Sequence, residues 1–143
     1  MDYQQLLAQH EGLTDVAQAV SSACETLARN ANGHRGHVSP APTAYELLGS
    51  LKVALWSLRE IVGFMPTGLA NSLTVPDITV VDRDFATGEV RDPGVSINAT
   101  SDALESMLSA LAQVAEFAEQ AQGAINGQGY EPRAAAEREH LLV

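Results

Sequence analysis

Residues 43–63 read TAYELLGSLKVALWSLREIVG, and the reading of this stretch decides the fold. Leu48, Leu51, Leu55, Leu58 and Val62 recur at alternating intervals of three and four, with Leu47, Ala54 and Ile61 beside them. A helix turns about 100° per residue, so this spacing gathers the side chains on one wide apolar face, whereas a strand would divide them between two surfaces. Thr43 followed by Glu46 has the form of a capping box, in which the hydroxyl and the carboxylate satisfy opposite free amides, and it predicts a helix start at residue 43. Gly63 and Pro66 predict its end near residue 63, with one short helical turn over 67–73.

Two further patterns of the same period flank it. Leu13, Val16, Val20, Cys24 and Leu27, with Ala17, Ala23 and Ala28 alongside, predict a helix over 13–30 with the Cys24 thiol on its buried side. Leu104, Met107, Leu108, Leu111, Val114, Ala115, Ala118, Ala121 and Ile125 predict a third over 100–126, opened by Thr100-Ser101-Asp102 and closed by Asn126-Gly127. Residues 2–9 predict a short leading helix, and the glycines and prolines of 31–42 a loop. The expected fold is therefore all-α: an antiparallel helical bundle with three long helices (13–30, 43–63 and 100–126), short accessory helices and a long crossover. Residues 1–129 read as one domain, followed by a charged, flexible tail over 130–143.

The crossover carries the most crowded chemistry. Ile78-Thr79-Val80-Val81 and Glu89-Val90-Arg91 are short extended runs, and Ala86-Thr87-Gly88 between them supplies a turn whose glycine takes positive φ. Such a hairpin lets Asp82 and Asp84 face Arg91 or Arg83, and Asp92-Pro93-Gly94 makes a second turn. The same acids invite a metal-dependent enzyme built on Asp82, Asp84 and Glu89 with His34 or His37. The calcium-loop spacing fails, because counting from Asp82 the sixth residue is Thr87 and the twelfth Pro93. His34, His37 and Cys24 have no second ligand pair at metal spacing, and the Glu137–His140 pair stands alone in the tail. No nucleophile elbow, phosphate loop or dinucleotide fingerprint occurs, so the expectation is no catalysis, no cofactor and no bound metal.

A net charge of −10 with seven scattered arginines and one lysine argues against direct nucleic-acid binding. It leaves open an acidic mimic of nucleic acid that blocks a basic protein. The N-terminus lacks the basic and apolar regions of a signal peptide, and no apolar run reaches the roughly 18 residues of a membrane span, so a cytoplasmic location is expected. Arginine over lysine with abundant alanine points to a GC-rich genome, such as that of an actinobacterium, its phage or a mobile element.

Contact chemistry remains. Tyr45, Lys52, Trp56 and Arg59 cluster at helical spacing beside the leucine face and include the sole tryptophan and sole lysine, residue types that suit a partner-binding patch. The structural alternative packs Trp56 and Tyr45 beneath a neighbouring helix or the 74–98 crossover. A face as wide as that of 43–63 also leaves apolar surface for another subunit, which predicts a homodimer burying part of this helix. The function expected is that of a non-catalytic protein-protein interaction module: an accessory, adaptor or regulatory protein that also self-associates.

Overall fold

The computed structural model describes residues 2–32, 41–76 and 78–129. The element order is α1 (Tyr3–Asn32), α2 (Ala41–Ser72), β1 (Asp82–Arg83), β2 (Val90–Arg91) and α3 (Pro93–Ile125). The fold is all-α, dominated by three long helices, and the small sheet among the described residues is a hairpin about the expected turn, its first strand at Asp82–Arg83 where the run Ile78–Val81 was expected to supply it. His34, His37, most of the 31–42 loop and the tail lie outside the described residues.

All three helices outrun their expected limits, each for a local reason. α1 absorbs the short leading helix because Gly12 weakens a helix by only about 1 kcal/mol without breaking it. Its start is a capping box that the reading overlooked: the Gln5 amide donates to Asp2 Oδ1 at 2.8 Å, and the Asp2 amide to Gln5 Oε1 at 2.9 Å. α2 begins at Ala41, so Thr43 stands inside the first turn and is not the cap. It also continues through Pro66 to Ser72, where an end near residue 63 was expected. α3 begins at Pro93, not at residue 100, because Asp92 is the N-cap and accepts from the Gly94 amide at 2.9 Å. A proline in the first helical position loses nothing, since its missing N–H would have no helical partner there. The Thr100 and Ser101 hydroxyls, read as caps, instead donate back to the Ser96 and Ile97 carbonyls at 2.8 and 2.9 Å. The far end matches the expectation, with Asn126 as C-cap and Gly127 at φ 90°.

α2 and α3 form an antiparallel hairpin: Lys52 of α2 meets Glu119 and Gln122 late in α3, while Arg59 lies level with Ala112 and Ala115. The side chains that turn inward on α2 are Leu48, Lys52, Leu55, Arg59, Val62, Pro66 and Leu69. Those on α3 are Ile97, Ser101, Leu104, Leu108, Leu111, Ala115, Ala118, Gln122 and Ile125. Both sets step by four and three, the 3.5-residue repeat of helices packed along a common seam. Val62 and Ala115, at 4% and 5% exposure, are the most deeply buried apolar residues.

This seam takes only half of the apolar face expected on α2. Leu47, Leu51, Leu58 and Ile61 remain exposed, one residue ahead of the seam positions. α1 departs further from the expected bundle. Leu13, Val16, Val20 and Leu27 are all exposed, and so is Cys24, contrary to the buried thiol that was expected. The start of α1 reaches α2 at one end, where Leu6 and Gln9 share a cleft with Gly68, Asn71 and Ser72.

Pro66 occupies a half-buried seam position inside a continuous helix, where it removes one backbone hydrogen bond and crowds the preceding turn. Pro66→Ala is expected to raise the unfolding free energy by roughly 2 kcal/mol, the helix-interior cost of proline less the entropy it removes from the unfolded chain. Urea denaturation of the two proteins checks this; an unchanged or lower midpoint would show that the ring's seam packing outweighs the lost hydrogen bond.

Candidate functional site

The four residues singled out on α2 lie along one edge of the hairpin, against the late turns of α3. Tyr45, Lys52 and Arg59 repeat every seven residues at the seam boundary, and Trp56 follows the seam residue Leu55. Trp56 is 54% exposed and Tyr45 38%, so both are only partly covered. The Arg59 guanidinium carbon sits 4.6 Å from the centre of the Trp56 ring, a cation–π stack that covers one face of the indole. Its Nε is buried without a hydrogen-bond partner, which is tolerable because the rest of the guanidinium is held over the ring.

Across from Arg59 stand two alanines, the seam residue Ala115 and Ala112 beside the seam. Ala112 and Ala115 leave a shallow cleft of about 240 Å³, walled by Trp56 and Arg59 on one side and rimmed by Glu116 and Glu119 on the other. Lys52 closes one end. Its ammonium donates to Gln122 Oε1 at 3.2 Å and lies 4.0 Å from Glu119, while Gln122 Nε2 donates in turn to the Tyr45 carbonyl at 3.1 Å. Gly49 permits this, since a Cβ there would stand 3.0 Å from the Gln122 amide nitrogen. The site is thus a half-open aromatic and cationic ridge beside an acidic rim, suited to contact with another macromolecule.

The second candidate, the crossover acids, is organised internally. β1 and β2 pair antiparallel with Asp82 opposite Arg91 and Arg83 opposite Val90, and Gly88 takes φ 73° in the turn. Arg91 is the partner of both acids, its Nη2 donating to Asp82 at 3.3 Å and its Nη1 to Asp84 at 3.2 Å. The other Asp84 oxygen accepts from the Ala86 and Thr87 amides, each at 2.9 Å. Asp84 is therefore spent on fixing the hairpin, while Asp82 keeps one buried oxygen, Oδ2, without a hydrogen-bond partner; among the described residues no three His, Cys, Asp or Glu side chains gather as a metal site would need. The hairpin instead presents Phe85, fully exposed at its tip. Nothing in the periodicity marked it; the signal was a lone aromatic in a polar turn.

Comparison with protein-family models, with curated proteins and with solved structures gives no match. Among the described residues no helix is long and apolar enough to cross a membrane.

The backbone amides of Thr87 and Ala86, and after them the Arg91 guanidinium, hold the Asp84 carboxyl below the usual range. A depressed folded-state pKa contributes stability that is complete above the ordinary carboxylate value, near 4, and is lost as pH falls through the lowered value. In an NMR titration the Ala86 and Thr87 amide shifts are expected to move together with a midpoint below that of a free aspartate. Asp84→Asn is expected to abolish the transition, and an ordinary midpoint in the wild type would contradict the assigned bonds.

Proposed function

We propose that this chain is a non-catalytic protein-protein interaction module, an accessory, adaptor or regulatory protein that presents Tyr45, Lys52, Trp56 and Arg59 to a protein partner and also self-associates. The observation that carries this reading is the half-exposed Trp56 with Arg59 stacked on it. A large aromatic left in water lowers its free energy when a partner covers it, and tryptophan and arginine dominate the energetics of interfaces when desolvated together. The acidic rim formed by Glu116 and Glu119 would steer an approaching basic segment and set its register. A metal-dependent hydrolase at Asp82, Asp84 and Glu89 is the weaker reading, because Arg91 already pairs with both aspartates and among the described residues no third ligand gathers beside them.

The partner reading is tested by affinity capture from the native host with wild type, Trp56→Ala and Arg59→Lys. A partner recovered by wild type is expected to be lost with Trp56→Ala, since truncating an interface anchor costs about 2 kcal/mol or more, some thirtyfold in affinity. Arg59→Lys keeps the charge but loses the planar stack, and an intermediate loss is expected. A partner retained equally by all three proteins would place the contact elsewhere.

The enzyme reading is tested separately by thermal unfolding with millimolar Mg²⁺, Ca²⁺, Mn²⁺ and Zn²⁺. No rise in melting temperature is expected, whereas a rise of several degrees removed by Asp82→Asn would favour a metal site, because a ligand specific for the folded state stabilises it by mass action.

A further inference from the structure

The side of the hairpin opposite Trp56 is continuous, apolar and uncharged. Trp56 and Ala112 each follow a seam residue and line the same cleft, so the residues that precede the seam positions lie together on the other side. On α2 these run from Leu47 through Met65 to Gly68, and on α3 from Ala103 through Val114 to Ala124, each stepping by four and three. All are exposed, and none is ionisable, in a chain of net charge −10. At 1.5 Å per residue the α2 stripe is roughly 31 Å long, and two packed helices are about 18–20 Å across. That footprint is on the order of 500 Å², and with side-chain relief its accessible area approaches the roughly 800 Å² each partner buries in a stable interface.

We infer that this face is the self-association surface of the chain: two hairpins pack face to face into a four-helix bundle, with α2 of one copy lying over α3 of the other. This deepens the self-association part of the proposed function and rests on that reading. Three observations select a second copy as the occupant. The face is where two strongly acidic chains meet without opposing their carboxylates, which elsewhere would repel. Its repeat is the one that interdigitating helices require, so each hairpin offers a second seam parallel to the first. The sizes are also complementary. Large residues dominate the α2 stripe and alternate with alanine on α3. At matched heights of the hairpin Leu47 falls level with Ala124, Leu51 with Ala121, Ala54 with Phe117 and Ile61 with Ala110, while Leu58 meets Val114 and Met65 meets Met107. With α2 lying over the partner's α3 the two-fold axis runs parallel to the helices, and large meets small at those four heights. A two-fold perpendicular to them would set α2 against α2, an arrangement that the crosslinking below distinguishes.

Light scattering at about 100 μM is expected to give twice the 15.1 kDa chain mass for wild type and the single-chain mass for Leu58→Asp and Val114→Asp. Both side chains are exposed in the single chain, so circular dichroism is expected to show the helices intact in each variant. Orientation is read by oxidising two proteins in a Cys24→Ser background, one carrying Ile61→Cys and the other Ala110→Cys. The mixture is expected to form disulfide-linked dimers, and either protein alone far less. A monomeric wild type would overturn the inference, whether α1 of the same chain or a foreign protein then covers the face. Retention of the dimer by both aspartate variants would overturn it too, and efficient self-crosslinking of each single variant would overturn the orientation. Trp56→Ala leaves this face untouched and is expected to remain dimeric, so loss of the partner reading and loss of the dimer are separate results.

Discussion

The α2–α3 seam is the constraint from which the rest of the structure follows. Two helices of thirty-odd residues bury their inward side chains by meeting every 3.5 residues, and the leucines and alanines that do so leave little freedom in crossing angle. A purely aliphatic seam can slip by a whole repeat at modest cost. Lys52, Gln122 and the Tyr45 carbonyl prevent this, because their hydrogen bonds form in one register only, and Gly49 provides the room they need. These polar groups contribute less to net stability than apolar packing would, but they define which residues stand level with which.

With the register fixed, the two sides of the hairpin acquire different characters. One carries Trp56, Arg59 and the acidic turns of α3; the other carries no charge. The crossover is tied to the same frame, since β2 ends at Arg91 and α3 begins at Pro93, with the capping Asp92 between them. Arg91 therefore links the hairpin acids to the start of α3, and Phe85 projects from a tip that its own hydrogen bonds have already ordered.

Helix identity was legible throughout, because a period of three and four survives any arrangement of neighbours. The hairpin was legible too: Gly88, the extended runs and the opposed Asp82, Asp84 and Arg91 are all local in sequence. The boundaries were not. Thr43 and Thr100 resemble caps, yet a cap is defined by where the helix stops being helical, and Asp92 with Pro93, or Asp2 with Gln5, provided stronger starts. Pro66 resembled a stop because propensity counts its local cost and not the packing on either side of it. Of the candidate site, the four residues were identifiable as a cluster, but their exposure was not, since Glu116, Glu119, Ala112 and Gln122 lie some sixty to seventy residues away in sequence.

By itself the sequence determined three long helices, a turn at Gly88 and an acidic chain without a recognisable catalytic motif, all consequences of local spacing and of total charge. Tertiary structure decided which of the apolar stripes on α2 is buried, that Trp56 is half open to solvent, and that α1 keeps Leu13, Val16, Val20 and Leu27 exposed. A helix carrying apolar residues on more than one side satisfies its own hydrogen bonds identically whichever side is covered. The choice is made only by the residues of another helix that fit against it.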